Sequence, residues 1–171
     1  MHRMNLATSE KAVESQALAE AFEDAWQAIR GCHQIVGDLV GRELSEAGLP
    51  ELAWYDVLAS LEASPNPLRP KDLLCRVGVT KSGLTRLIDR IEDAGFVERT
   101  SCPSDRRGTF IVMTDAGART LASMRPIRNR VFAEHLAGTL SEAEAEAVSE
   151  LLGRVGTSVR HELEGDGGCE V

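Results

Sequence analysis

Apolar side chains recur at helical spacing along much of this chain, and the clearest pattern lies between residues 80 and 95. Its apolar positions follow the spacing i, i+3, i+4 and i+7, which predicts one buried helix face: Leu84, Leu87, Ile88 and Ile91. Thr80 suits the N-cap, because its hydroxyl can accept a hydrogen bond from a backbone N–H of the first turn. Gly95 suits the position after the last turn, where a left-handed conformation ends a helix.

Short elements flank this central helix on both sides. The apolar spacing of residues 70–77 predicts a short helix, and residues 78–80 form a turn of the length used in helix-turn-helix motifs. After the central helix, residues 96–100 and 109–113 are typical of paired strands joined by a turn-rich loop over residues 102–108. A helix-turn-helix followed by such a hairpin is a winged helix-turn-helix.

Longer helical patterns lie outside this unit. The first runs from about residue 10 to residue 45, and others cover residues 51–63, 114–137 and 142–164. The predicted fold class is therefore mainly α with a small β wing: a winged helix-turn-helix lobe with long N- and C-terminal helices.

The terminal helices carry apolar stripes that a single chain would leave partly exposed. Burying them in a two-fold homodimer is the economical arrangement. The residues predicted to form this dimer interface are Leu18, Phe22, Val148, Leu152, Val155 and Val159.

The net charge of −8 argues at first against a nucleic-acid partner, but the charges are unevenly distributed. Between residues 69 and 107, nine Lys and Arg outnumber six Asp and Glu. Because salt screens charges beyond about 10 Å, a phosphate backbone responds mainly to this local excess. The central unit is thus the part of the chain suited to contact DNA.

Other functional classes receive little support from the composition. A hydrophobic content of 43% and a charged content of 27% are ordinary for a globular protein. No apolar run approaches the ~20 residues of a membrane span, so we expect no membrane contact and a cytoplasmic protein. The four Cys and four His lack ligand spacing, and no nucleophile elbow or phosphate-binding loop is present. We expect no metal, no cofactor and no enzymatic activity.

The polar side of the central helix supplies candidate DNA contacts: Lys81, Ser82, Thr85, Arg86 and Arg90. Arg can bridge O6 and N7 of guanine in the major groove, and small hydroxyl residues let a helix approach closely. The alternative is an ordinary solvated helix face. Arg90 could reach a phosphate or pair with an acid such as Asp93 or Asp105. Arg99 could contact a phosphate or be a cross-strand surface charge.

Several blocks of sequence resemble the core signature of the MarR family of transcription regulators. They are residues 84–92, 95–99, 105–108 and 113–117, and the similarity extends outward to residues 48–50, 54–58 and 140–144. These ordered blocks at matching spacing cover roughly residues 20–160. The resemblance implies a triangular homodimer in which both chain ends interleave above two winged-helix lobes.

The resemblance also implies roles for individual residues. Asp105 would brace an arginine of the wing, which would enter or border the minor groove; whether Arg106 or Arg107 inserts stays open. The full set of predicted DNA-binding residues is Thr80, Lys81, Ser82, Gly83, Thr85, Arg86, Arg90, Arg99, Asp105, Arg106 and Arg107.

Many relatives bind small aromatic or phenolic effectors between the long helices and the DNA-binding lobe. By this resemblance, the candidate ligand-binding residues are Trp26, His33, Trp54 and Tyr55, although core packing explains such residues as well. One branch of the family senses oxidation through a cysteine. Cys32 and Cys75 lack an obvious cationic neighbour, so we interpret them as inert thiols.

The sequence predicts a homodimeric, sequence-specific DNA-binding regulator that represses from a pseudo-palindromic operator and is released by a small-molecule ligand. The alternative is a winged-helix protein-interaction module without specific DNA binding. The expected segments are a flexible N-terminus (1–9), an N-terminal dimerisation helix (10–48), the winged helix-turn-helix domain (49–114), C-terminal dimerisation helices (115–164) and a flexible tail (165–171).

Overall fold

A computed structural model describes residues 4–74, 76–102 and 105–164 of the chain. Within these residues the elements are six helices and two strands. In chain order they are α1 (Met4–Glu46), α2 (Leu52–Glu62), α3 (Pro70–Leu74), α4 (Lys81–Asp93), β1 (Val97–Cys102), β2 (Asp105–Met113), α5 (Asp115–His135) and α6 (Glu142–Glu164). The predicted mainly α class with a small β wing is confirmed.

The chain divides into two compact units, one up to Leu39 and the other from Val40 onwards. The first unit is the N-terminal part of α1. It exposes large apolar side chains at Leu18, Phe22, Trp26, Ile29 and Ile35. Two of these, Leu18 and Phe22, were predicted to form a dimer interface.

The core of the second unit is built from the apolar faces of its helices and of the hairpin. Its fully buried side chains come from the end of α1, from α2, α3, α4 and α5, and from both strands. They are Val40, Leu44, Val57, Leu58, Leu73, Ile88, Ile91, Val97, Ile111, Leu121, Met124 and Val131. Among the described residues, no polar or charged side chain is buried. Charged groups of this unit therefore remain at its surface, available for pairing or for a partner.

Helix α4 forms as the sequence predicts at both ends. Thr80 caps it, because its Oγ1 accepts a hydrogen bond from the Gly83 N–H at 3.1 Å. At the other end Gly95 adopts φ +77°, and the N–H groups of Gly95 and Phe96 donate to the carbonyls of Glu92 and Ile91. These two bonds are the Schellman arrangement, which satisfies carbonyls that the helix itself leaves free.

The wing is an antiparallel hairpin whose strands are longer than predicted. Val97 pairs with Met113 and Arg99 with Ile111, and the register shifts between Ser101 and Cys102. The predicted loop over residues 102–108 is wrong, because β2 already begins at Asp105. Backbone pairing extends the ladder through residues of low strand propensity once the register is set by the buried pairs nearer the base.

Two helix boundaries also differ from the sequence pattern. Helix α1 begins at Met4 rather than near residue 10, and α3 ends at Leu74 rather than at Val77. Val77 instead lies in the turn, where the Val79 N–H donates to its carbonyl at 2.7 Å. The Val77 N–H still donates to the Leu73 carbonyl at 2.9 Å, so a helical hydrogen bond reaches the turn. The predicted tail 165–171 lies outside the described residues.

The start of α5 is tied to the end of α4. The Thr114 hydroxyl caps α5 by accepting from the Gly117 N–H at 3.1 Å, and it donates to the Gly95 carbonyl at 2.7 Å. The Thr114 N–H also donates to the Phe96 carbonyl at 3.0 Å. Three hydrogen bonds at one residue thus join the strand exit, the helix start and the end of the preceding helix.

Helix α6 begins at a capping box and presents an apolar stripe. The Ser141 hydroxyl and N–H both donate to Glu144 Oε2, at 2.6 and 2.8 Å. The hydrogen bond from the Ser141 side chain, followed by that from its backbone, lowers the pKa of the Glu144 carboxyl. Along the helix the apolar side chains remain exposed: Val148, Leu151, Leu152, Val155 and Val159.

Candidate nucleic-acid interface

The exposed face of α4 carries most of the predicted major-groove contacts. Lys81, Ser82, Thr85 and Arg86 are all exposed, whereas Gly83 is half-buried. The Thr85 hydroxyl donates to the Lys81 carbonyl at 3.2 Å, one turn back in the same helix. This face therefore combines two long cations with short hydroxyl side chains close to the helix surface.

The cations of this region divide into unpaired and paired groups. Within the described residues, Lys81 and Arg86 make no ion pair. Arg90, in the last turn of α4, places Nη2 2.7 Å from Glu51 Oε1 and its guanidinium carbon 5.7 Å from the centre of the Trp54 ring. Glu51 lies at the start of α2, so the partner of Arg90 is neither of the two acids that the sequence suggested.

Arg99 makes three contacts with two acids of α4. Its Nη2 lies 2.6 Å from Asp89 Oδ1, its Nη1 contacts Glu92 Oε2, and its backbone N–H donates to Glu92 Oε1 at 3.0 Å. Partial burial alone would lower the pKa of the guanidinium, but the hydrogen bond to Asp89 and the charge of Glu92 outweigh it and raise that pKa. Its charge is already neutralised within the protein.

Two further cations lie beside the helix-turn-helix, and the sequence reasoning did not include them among the candidates. Arg69 stacks over the Phe110 ring at 5.5 Å, and its backbone N–H donates to Asp72 Oδ2 at 3.0 Å. Arg76 is exposed in the turn before α4. The excess of basic residues between positions 69 and 107 could have identified both arginines as candidate DNA contacts.

The residue before Arg69 also fixes the base of the wing. Leu68 forms an isolated antiparallel bridge with Ile111, whose N–H donates to the Leu68 carbonyl at 2.8 Å. The hairpin is thus held on one side by the segment before α3. The side chains of Asp105, Arg106 and Arg107 lie outside the described part of the chain, so their predicted contacts stay predictions.

An open cleft of about 530 Å³ lies where α2 begins and α4 ends. It is lined by Gly48, Leu49, Pro50, Glu51, Trp54, Arg90, Phe96 and Thr120. Trp54 meets Phe96 edge to face, with ring centres 5.7 Å apart. The Trp54 Nε1 is buried and has no hydrogen-bond partner among the described residues. Of the four predicted ligand-binding residues, Trp54 is the one that lines this cleft.

The other three occupy different surroundings. Tyr55 is buried, and its ring lies 4.9 Å from the guanidinium carbon of Arg128, which also covers Phe132 at 4.0 Å. Trp26 and His33 are exposed and belong to the first compact unit. A shared ligand cleft for all four stays a prediction. Cys32 is a free, exposed thiol on α1, and Cys75 lies outside the described residues.

Membrane spans and metal clusters do not occur in the described part of the chain. No helix there is long and apolar enough to cross a membrane. No group of three or more His, Cys, Asp or Glu in the same residues is placed to hold a metal ion.

Comparison with known proteins agrees with the winged-helix architecture. The family model described as MarR family matches residues 47–108. A similar crystal structure is that of AbsC, a MarR family transcriptional regulator from Streptomyces coelicolor, with 26% identity and a TM-score of 0.71. The likeness covers 81% of this chain and 94% of AbsC. The chain is therefore similar to MarR family transcriptional regulators, in sequence over residues 47–108 and in fold over most of its length.

Two other similar crystal structures contain a bound partner or ligand. Sco3205, a MarR family transcriptional regulator from Streptomyces coelicolor crystallised in complex with DNA, has 25% identity and a TM-score of 0.72, covering 80% of this chain and 90% of Sco3205. CouR from Rhodococcus jostii RHA1, bound to p-coumaroyl-CoA, has 22% identity and a TM-score of 0.69, covering 78% of this chain and 92% of CouR. At that identity the likeness to CouR concerns the fold.

Proposed function

We propose that this chain is a sequence-specific, DNA-binding transcription regulator of the MarR type, which reads the major groove with α4. The observation that supports this most directly is that Lys81 and Arg86 are exposed on a capped helix and make no ion pair with any residue that the structure describes. Described acids of the same lobe form ion pairs with Arg90 and Arg99 but not with Lys81 or Arg86. The DNA complex of Sco3205 supports the same partner for a related fold.

Arg86 is the residue we propose as the base-reading side chain. It lies in the second turn of α4, one turn after Ser82, where a helix inserted by its N-terminal half approaches base edges. A bidentate contact of Arg with guanine discriminates between bases by about 1–3 kcal/mol. We assign Arg106 or Arg107 of the wing to phosphate or minor-groove contact, which depends on groove width more than on a base code.

A second copy of the chain is the proposed partner of the exposed apolar stripes. On α6, Leu152 is 40% exposed and Val155 60%. On the first unit, Phe22 is 68% exposed. Apolar stripes of this length rarely stay in water, and a homodimer would present two α4 helices to one face of DNA, about one helical turn apart. The operator is then a pseudo-palindrome.

We propose further that the regulator acts as a cytoplasmic repressor, without catalysis, and that a small aromatic or phenolic effector releases it. The cleft beside Trp54 and Arg90 suits such a ligand, since it combines aromatic rings with a cation and its volume is typical of small-molecule sites. A ligand there can weaken DNA binding only through a higher affinity for the non-binding conformation. A screen of aromatic acids should find one that lowers operator affinity in wild type but not in Trp54→Ala.

The test of DNA reading is a set of salt titrations on operator and scrambled duplexes, the operator being selected from genomic fragments. Arg86→Ala should lower operator affinity at least about 30-fold, because a dimer would forgo one base contact of about 1 kcal/mol or more in each half-site. Random DNA should be affected far less. Arg106→Ala should weaken both duplexes more evenly and reduce the salt slope by about one unit for each phosphate that the variant no longer reaches.

Arg90→Ala is the matched control. It removes an arginine one turn further along the same helix, and the charge of this arginine is already neutralised by Glu51. It should change operator preference little. If wild type bound operator and scrambled DNA equally at every salt concentration, the protein would instead be a winged-helix protein-interaction module.

A further inference from the structure

The contacts of Arg99 connect α4 with the wing, the two elements that we propose contact neighbouring grooves of DNA. Arg99 is the third residue of β1, and Asp89 and Glu92 lie on α4 within its last two turns. The guanidinium contacts both carboxylates, and the Arg99 N–H donates to Glu92 Oε1 at 3.0 Å. We name this set of three residues the Arg99 bracket.

The hairpin depends on contacts of this kind for its direction. A two-stranded ribbon is only marginally stable by itself, so the elements at its base decide how it projects. On the β2 side, the Leu68–Ile111 bridge attaches the ribbon to the segment before α3. On the β1 side, the Arg99 bracket attaches it to the recognition helix. Two attachments on opposite strands fix both the tilt and the twist of the wing relative to α4.

The side-chain exposures favour bracing over contact with a phosphate. The Arg99 side chain is 32% exposed, and its two terminal nitrogens are each directed to a carboxylate. Releasing it to reach a phosphate would leave Asp89, which is 52% exposed, unneutralised on the face of α4 that approaches DNA. That carboxylate would then repel the phosphate backbone. Electrostatic energy therefore gives Arg99 no reason to leave its acids for a phosphate.

We propose that Arg99 is a positioning residue which locks the wing to the recognition helix and screens Asp89 and Glu92, and that it makes no phosphate contact. The inference rests on the proposed DNA-binding function. The bracket presets the spacing between the major-groove and minor-groove elements, so that binding does not carry the entropic cost of ordering the wing.

Neutralising the two acids separates bracing from phosphate contact, because the two roles predict opposite signs. If Arg99 contacted a phosphate, Asp89→Ala/Glu92→Ala would free it and remove repulsion, and DNA affinity would rise. If Arg99 is a brace, the same variant removes its partners, and operator affinity falls although two negative charges have been removed. We expect a fall of at least tenfold, measured by fluorescence anisotropy.

The matched control is Asp93→Ala/Glu98→Gln, which also removes two acids, one from α4 and one from β1. Asp93 and Glu98 are exposed and make no hydrogen bond or ion pair within the described residues. This variant should bind the operator as tightly as wild type or more tightly. A bracket variant that behaved like this control would overturn the proposal.

Variants of Arg99 itself complete the test. Arg99→Lys keeps the charge but not the forked geometry, so it should weaken operator binding as Arg99→Ala does. Adding Arg99→Ala to the Asp89→Ala/Glu92→Ala background should weaken binding no further, since the bracket is already absent. A further decrease in affinity accompanied by a lower salt slope would mean that Arg99 contacts a phosphate. Urea unfolding should change little, because exposed ion pairs contribute little to folding.

A measurement without DNA separates this inference from the proposed function. Amide hydrogen exchange at Arg99, followed by NMR, should be at least tenfold faster in Asp89→Ala/Glu92→Ala, because Glu92 accepts the Arg99 N–H. If wild type bound no operator, the proposed function would fail, and the bracing role in DNA binding with it. Unchanged exchange in the variant would refute the bracket alone.

Discussion

Replacing Gly117 with alanine should destabilise the DNA-binding lobe at the junction between α4 and α5. A Cβ at this position would lie 2.1 Å from the Phe96 carbonyl oxygen and 3.0 Å from Met113 Cγ. The methionine side chain can move, but the carbonyl belongs to the backbone that also accepts the Thr114 N–H. Relief of the clash therefore requires the start of α5 to shift by about 1 Å relative to the end of α4, since carbon–oxygen contact needs more than about 3 Å.

The expected cost follows from two opposing effects. Overpacking against a rigid neighbour costs about 1–3 kcal/mol or somewhat more, whereas alanine in a helix gains about 1 kcal/mol over glycine. The shift also strains the cap, in which Gly117 donates to Thr114. We expect a net decrease of about 2 kcal/mol in the free energy of unfolding, which corresponds to a fall of about 4–8 °C in Tm for a chain of this size.

Urea unfolding at one fixed protein concentration measures this decrease, since subunit association also contributes to apparent stability. Gly78→Ala is the control, because a Cβ there meets nothing within 4 Å and its φ lies outside the left-handed region. It should be neutral or stabilise by up to about 1 kcal/mol. If Gly117→Ala unfolded at the wild-type urea concentration with the same slope, the close approach of α5 to Phe96 would be wrong.

Three further variants test other parts of the molecule. Leu152→Asp should give monomers and abolish operator binding, because an unpaired charge is costly in an apolar interface; light scattering that found wild type monomeric at micromolar concentration would refute the dimer itself. Thr80→Ala should cost about 1 kcal/mol in urea unfolding because it removes the α4 cap, whereas Thr85→Ala, which leaves that cap intact, should cost less. Because its pKa is lowered on folding, Glu144 should contribute stability above the ordinary glutamate pKa of about 4.3 and lose it as pH falls through the lowered value; a difference between wild type and Glu144→Gln that persisted undiminished in stronger acid would contradict this.

Sequence patterns that span only one or two helical turns predicted α4 and both of its ends correctly. The apolar spacing of α4, the cap at Thr80 and the stop at Gly95 each depend on residues three to five positions apart. The capping box of Ser141 with Glu144 is another local signal, and it forms. Such features follow from backbone geometry that neighbouring residues set among themselves, so the sequence alone identified the helix that we propose reads DNA.

The partners of individual arginines could not be found in this way. Arg90 pairs with Glu51, which is 39 positions earlier in the chain. Arg99 pairs with Asp89 and Glu92, across the turn that separates helix from strand. From spacing alone, Arg90 could reach a phosphate or pair with an acid, and Arg99 could contact a phosphate or be a cross-strand surface charge.

By itself, the sequence determined the helix-turn-helix, the order of the elements and the resemblance to MarR family regulators, because local periodicity and ordered motifs encode them. Only the tertiary structure decided which cations make no ion pair among the described residues, how far the hairpin extends beyond its buried base, and where α5 meets the end of α4. Those outcomes depend on groups that are distant along the chain and become neighbours only when the apolar faces pack. Ion pairing and close backbone approach are properties of that packing.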